Sequence, residues 1–367
     1  MSDASNLRLD RRVTAHVPVA NVLLATGLAA CVVLAGGCVT TSSAPAPRPA
    51  ALPTATPEAQ GGGASAPATP PTEAETARLA AATEAAQKED YEAALRAFRE
   101  LLAENPTLAG AYTGIGDVYE RKGDLELAEP AYARAVALDP GDFTAVSSHG
   151  RVLEALGRLR DSVLAYQRAL TIRPRDLDSN LAMSRLMILT EQPDSAVTFA
   201  ERAVKIEPQS GKARLQLARA LSKAGRGDEA IREYEASCEL VEPPSEVMLT
   251  LVNEYAKAKR YQEAANAAEA LTRTAPSAAA YERLGWALFR LNQFERSDAA
   301  YRKAIEIDAE YWPALNGAGV NALNAWVKAG KPAEDPRRTE ARDMLRRSVK
   351  ANPDQPKVAA LLLKYQL

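Results

Sequence analysis

Four prolines, Pro106, Pro140, Pro174 and Pro208, stand 34 residues apart, and Pro243 and Pro276 continue the series with one residue of slip each way. The small residues Ala94, Ala128, Ser162, Ala196, Ala230 and Ala264 keep the 34-residue spacing throughout. A bulky residue follows four positions later in most units, at Phe98, Tyr132, Tyr166, Tyr234 and Tyr301. Gly116, Gly150, Ser184, Ala218, Gly285 and Gly319 lie about twelve positions upstream of the small residue or its counterpart. A fixed period of this length describes one supersecondary unit, copied along the chain, that cannot bury its own apolar face. Stacking of neighbours must complete the core.

Each position has a physical reason. Two antiparallel helices approach closely only where both offer small residues, so Gly116 is expected against Ala128. The bulky residues fill the groove between one helix pair and the next. Gly123-Asp124 and Gly157-Arg158 break the chain between the helices of a pair, with Asp124 as an N-cap. Proline ends the second helix, because it cannot continue the hydrogen-bond ladder. Ala, Leu, Glu and Arg dominate and aromatics make up 5% of the chain, a helix-former's composition.

This grammar resembles the tetratricopeptide repeat. The best unit reads Tyr112-x-x-Ile115-Gly116-x-x-Tyr119, then Ala128-x-x-x-Tyr132, Ala135 and Pro140. The resemblance implies an all-α fold, a right-handed superhelical array of helix-turn-helix repeats. Counting gives eight units, 75–108, 109–142, 143–176, 177–210, 211–244, 245–277, 278–311 and 312–353, so the array occupies 73–353. In the eighth unit Gly319 to Ala341 spans 22 residues instead of twelve, and ten extra residues around Gly330–Pro336 are expected to loop out. Residues 354–367 form a C-terminal capping helix with Val358, Leu361, Leu362 and Tyr365 on its apolar side. Pro130 conflicts with the second helix of unit two, where it costs about 3 kcal/mol unless the first turn opens. Pro193 can occupy the first position of a helix.

Ahead of the array, Arg8, Arg11 and Arg12 precede an uncharged stretch from Val13 to Pro47, apolar over Val17–Val39. A basic start, an apolar middle and small residues at its end read as an export signal over 1–37. Leu34-Ala35-Gly36-Gly37-Cys38 resembles the lipobox of bacterial lipoproteins, which makes Cys38 the lipidated residue. Leu28-Ala29-Ala30-Cys31 fits the lipobox spacing better, so Cys31 is the alternative. Cleavage there leaves Val32-Val33-Leu34 beside the lipid, whereas cleavage at Cys38 leaves a polar tether. An uncleaved anchor is the third reading, since 23 apolar residues can span about 30 Å of hydrocarbon. Arg11-Arg12 lacks the bulky apolar followers of a twin-arginine signal. Residues 38–72, rich in Pro, Ala, Thr and Gly, carry only Arg48 and Glu58 as charges and have no periodic apolar face. Such a segment is expected to be a disordered tether of about 30 Å.

The chemistry-bearing residues are few. Forty-five Lys+Arg against 47 Asp+Glu give a net charge of −2, which offers no bulk attraction for nucleic acid. Two His and three Cys cannot furnish a zinc site or disulfide framework of their own, so no metal and no cofactor is expected. No phosphate-binding loop, metalloprotease, nucleophile-elbow or dinucleotide motif occurs. His149 takes the slot of Ile115 and Leu217, and Cys238 that of Val136, Leu170 and Val204, so both read as packed helix residues. Only 14 residues follow Pro353, so no catalytic domain is expected there. The chain reads as a non-enzyme.

The resemblance places slots two, five, nine and twelve of each first helix on a concave, ligand-holding groove. Slot nine reads Asp117, Arg151, Arg185, Arg219, Asn253 and Trp286, and slot five reads Leu181, Leu215 and Leu249 in units four to six. An arginine ladder beside an apolar strip suits an acidic or carboxylate-ended peptide or protein partner. The expected function is a lipid-anchored scaffold in the bacterial envelope, facing the periplasm or cell surface. The build is similar to pilotin-type factors that assist pilus, secretion or outer-membrane assembly. The alternatives are a non-catalytic subunit presenting substrate to a cell-wall or glycosyl-transfer enzyme, and a structural spacer.

Overall fold

The computed structural model describes residues 70–367. The signal segment, Cys31, Cys38 and the tether up to residue 69 lie outside the described residues. All regular structure described is α-helical, and the chain divides into two units, 70–243 and 244–367. The first holds five helix pairs: α1 (Glu73–Gln87), α2 (Tyr91–Glu104), α3 (Ala109–Lys122), α4 (Leu125–Leu138), α5 (Phe143–Ala155), α6 (Leu159–Ile172), α7 (Leu177–Leu189), α8 (Pro193–Ile206), α9 (Gly211–Lys223) and α10 (Gly227–Leu240). The second holds three pairs and a single helix: α11 (Ser245–Lys257), α12 (Tyr261–Thr274), α13 (Ala278–Arg290), α14 (Phe294–Ile307), α15 (Trp312–Lys328), α16 (Pro336–Ala351) and α17 (Pro356–Tyr365). This is the repeat array that the 34-residue period describes, eight pairs and a last helix.

The array opens on a reciprocal cap. The Glu75 backbone N–H donates to Thr72 Oγ1 at 3.2 Å, and the Thr72 N–H donates to Glu75 Oε2 at 2.7 Å. Within each pair the turn needs one left-handed residue. Positions 89, 123, 157, 191, 225, 259 and 292 all have positive φ, yet only Gly123, Gly157 and Gly225 are glycine. Asp124 takes the N-cap position of α4 as expected, but its side chain makes no cap bond. Its carboxylate lies 3.6 Å from Lys122 Nζ instead. Pro193 takes the first position of α8 as expected, whereas α4 runs on through Pro130 without opening its first turn. The ring nitrogen of Pro130 leaves the Glu126 carbonyl without its helical donor.

Close helix approach is governed by rings on glycines. A Cβ at Gly116 would meet the Tyr132 ring at 2.8 Å, so Gly116 faces the bulky residue of its partner helix. At the equivalent positions the small residue also meets the glycine, Ser162 Oγ donating to the Gly150 carbonyl at 2.8 Å. Tyr301, 1% exposed, does the same against Gly285 of its own repeat and Gly317 of the next. The bulky residue therefore sits between its own first helix and the following one, and absence of a side chain there sets the stacking distance.

The ten extra residues of the eighth unit loop out only in part. α15 has 17 residues and α16 has 16, against 13 or 14 in most repeats, so about half of the insertion is helix. Trp326 on the added turn is buried and donates its indole N–H to the Pro332 carbonyl at 2.9 Å, and Asp335 caps α16 through the Arg337 N–H at 2.9 Å. α17 closes this end, burying Val358 and Leu361 against Trp326 and Leu345. No described helix is long and apolar enough to cross a membrane.

Candidate functional site

Successive first helices touch one another directly, α1–α3–α5–α7–α9 in the first unit and α11–α13–α15 in the second. No two successive second helices are joined to the same extent among the described residues. Each unit therefore bends toward its first helices, whose free faces line its inner side.

On the first unit's inner side the three ladder arginines differ in their partners. Arg151 places Nη1 3.0 Å from Glu120 Oε1 and donates Nη2 to Ser148 Oγ at 2.9 Å. Arg185 donates Nε and Nη2 to the two oxygens of Glu154, both at 3.1 Å. Each pair joins slot nine to slot twelve of the preceding repeat, 31 residues earlier. For Arg219 that position is Ile188. Arg219 is exposed and makes no ion pair or hydrogen bond among the described residues. The ladder is thus closed internally at two rungs and open at the third. Glu120 and Glu154 went unread in the sequence because their spacing to the arginines falls three residues short of the period.

The fourth slot-nine residue of this unit, Asp117, is tied to the core. The Tyr132 hydroxyl lies 2.5 Å from Asp117 Oδ1 and 2.8 Å from Glu120 Oε2. Burial lifts the Asp117 carboxyl above its ordinary pKa, against the pull of the Tyr132 hydrogen bond and of Arg151 and Arg121. Burial and the two carboxylates push the Tyr132 phenol up as well. A wall that starts with a desolvated acid thus ends at an unpaired guanidinium.

The expected apolar strip is not formed. Leu181 is 1% exposed and packs with Ala203 and Ala213 in the seam to the next repeat. Slot five there faces the following first helix, and burying a leucine in that seam is favourable by about 2 kcal/mol. Leu215 is half-buried, and Leu249, also half-buried, belongs to the second unit. Asn253 and Trp286 sit in that second unit too and are partly buried. Trp286 meets Tyr261 edge-on at 5.7 Å, and the Arg290 guanidinium lies 4.5 Å from the Tyr261 ring centre and 5.6 Å from that of Trp286. Arg290 also reaches the Tyr261 hydroxyl at 2.5 Å, so Trp286 is braced rather than loose.

The remaining candidates are quiet. His149 lies 3.3 Å from Glu129, which also holds Arg158 at 3.0 Å. Cys238 is half-buried, and burial pushes its thiol pKa up, away from nucleophilic character. No group of three or more His, Cys, Asp or Glu able to hold a metal occurs among the described residues.

Family models described as tetratricopeptide repeat match residues 79–143, 190–237 and 278–311. A search of curated proteins gave no match. Among solved structures, the chain is similar to PilF of Pseudomonas aeruginosa at 19% identity, covering 56% of this chain and 93% of that one, with a TM-score of 0.48. It is similar to PilW, a type IV pilus biogenesis factor, at 20% identity over 56% and 96% of the two chains, with a TM-score of 0.49. A tetratricopeptide repeat protein from Parabacteroides merdae aligns at 17% identity over 68% and 99%, with a TM-score of 0.48. The repeat models fall on helix pairs from both units, and these pairs are tetratricopeptide repeats.

Proposed function

We propose that the chain is a non-catalytic scaffold that holds an acidic or carboxylate-ended protein segment on the inner side of residues 70–243, while lipid at Cys38 anchors it in the bacterial envelope. The carrying observation is the open rung. Arg219 offers its guanidinium from a first-helix face, whereas Arg151 and Arg185 are already neutralised by Glu120 and Glu154. Half-buried Leu215, one helical turn before Arg219, supplies an apolar neighbour. A guanidinium without a carboxylate of its own recognises one from a partner, through two parallel hydrogen bonds. The envelope location rests on the lipobox and tether of the sequence. A role in assembling a pilus, secretion or outer-membrane complex rests on that same architecture.

Photo-crosslinking in living cells tests the surface. A crosslinker at position 215 should capture one dominant protein, and capture should fall when Arg219→Glu is added. A partner trapped equally well with Arg219→Glu, or trapped only from position 164 on a second helix, overturns the inner-side reading.

A further inference from the structure

At the repeat boundaries the proline carbonyls are held by donors from the chain. Arg168 on α6 donates Nε to the Pro140 carbonyl at 3.1 Å, and Arg214 on α9 donates Nε to the Pro208 carbonyl at 3.1 Å. The boundary between them follows the Pro208 pattern, with the residue 34 positions before Arg214 as donor. There Asn180 takes the Pro174 carbonyl through Nδ2 at 3.2 Å. Arg202, the residue 34 positions after Arg168, is thereby released from the duty that Arg168 performs. Its guanidinium stacks 5.1 Å from the centre of the Phe199 ring, which leaves its N–H edge free.

Arg202 shares a recess of about 360 Å³ with Arg175 and Lys205, walled by Pro174 and Ile206. No carboxylate lines it, and none of the three cations has an ion pair among the described residues. Beside Arg175, Asp176 accepts the Ser179 N–H at 2.8 Å and Asp178 holds Lys212 at 2.9 Å, while Glu201 and Glu207 flank Arg202 and Lys205 in sequence without lining the recess. The repeat does not require these charges. Gly141 and Gln209 stand at the positions equivalent to Arg175, and Thr171 and Glu239 at those equivalent to Lys205. In a chain of net charge −2, three unpaired cations around one recess work against stability by mutual repulsion. A bound anion removes that cost.

We propose that this recess binds a phosphate group, with the forked N–H edges of Arg175 and Arg202 and the Lys205 ammonium as donors and Pro174 and Ile206 against the apolar part of the ligand. A phospholipid headgroup and a soluble phosphate present the same chemistry. The site lies apart from the inner-side surface and does not depend on it.

The test uses the full chain in non-ionic micelles and calorimetric titration at constant ionic strength. One arm adds inorganic pyrophosphate, with chloride as its control. The other adds lyso-phosphatidylglycerol to the micelles, with an uncharged monoacylglycerol as its control. Saturable binding above control in either arm supports the site, and the arm that responds names the source. The double substitution Arg175→Gln/Arg202→Gln should weaken that binding at least about 10-fold, with the melting temperature kept or raised. Lys205→Gln alone should weaken it several-fold. Binding no stronger than control in both arms, or equal affinity in wild type and double variant, overturns the proposal.

Discussion

Arg185 closes two nitrogens of its guanidinium on the two oxygens of Glu154, each at 3.1 Å, across the α5–α7 contact. This pair decides what the arginine ladder can offer a ligand. Glu154→Gln frees Arg185 without unpacking its helix, so affinity for an acidic segment should rise. Arg219→Glu should lower it by about 10- to 100-fold, because a hydrogen bond to a charged group is worth about 1.5–3 kcal/mol and repulsion is added. Titration of an acidic, carboxylate-ended peptide at two salt concentrations checks both, since contacts on an open face weaken with salt. Equal affinity for wild type, Glu154→Gln and Arg219→Glu would remove the inner side from consideration.

Gly116 and Gly227 form a matched pair for the packing argument. A Cβ at Gly116 enters the Tyr132 ring at 2.8 Å, while one at Gly227 meets nothing within 4 Å. Gly116→Leu should therefore destabilise by about 1–3 kcal/mol through overpacking. Gly227→Ala, at the first position of α10, should stabilise by about 0.4–1 kcal/mol by restricting the unfolded chain. Urea denaturation measures both, and a wild-type curve for Gly116→Leu would mean that the ring does not control the approach.

The period made the helix pairs legible, because small, bulky and proline positions recur where stacking allows no other choice. Features set by contacts between repeats were harder to read. Leu181 sits in a slot that faces outward in one repeat taken alone, and only the following first helix buries it. The Glu154–Arg185 pair spans 31 residues, so a comparison at multiples of 34 passes over it. Asp124 has the right residue type and position for a cap, but Lys122 draws its carboxylate away from the helix end. The left-handed turn position was read at Gly123 and Gly157; Gly225 fills it too, and the remaining repeats hide it behind Glu, Lys or Asn.

That turn position gives a stability prediction. Glu191 holds φ at 59° between α7 and α8, where a side chain costs about 1–2 kcal/mol and glycine costs none. Glycine loses more entropy on folding, so Glu191→Gly should gain somewhat under 1 kcal/mol. Asn292→Gly should gain less, because asparagine tolerates this conformation better. Thermal melts rank the two variants, and a loss of stability in both would contradict the strain argument.

The anchor is checked by chemistry on the sequence. Cys38→Ala should abolish incorporation of labelled palmitate and release the array from the membrane fraction. Stable attachment takes more than one acyl chain, at about 0.8 kcal/mol per buried methylene, and loss of the one lipidated cysteine leaves none. Label that persists in Cys38→Ala and vanishes in Cys31→Ala moves the lipid to Cys31.

Glu282 supplies the pH prediction. Its side chain is 5% exposed on α13 in the second unit, and burial raises its carboxyl pKa above the ordinary value of 4.5. Arg283 Nη1, 3.1 Å away, opposes the shift, while the Tyr301 and Tyr311 phenols share its surroundings. The sign follows from proton counting. Above pH 4.5 the unfolded chain has released this proton while the folded chain still holds it, so stability falls as pH rises until the folded group ionises. Glutamine keeps the shape and carries no charge. Glu282→Gln should therefore flatten the decline in melting temperature between pH 4.5 and the folded pKa, and it should leave the variant more stable than wild type at neutral pH. Parallel melting curves for the two proteins across that window would show that Arg283 compensates the buried charge in full.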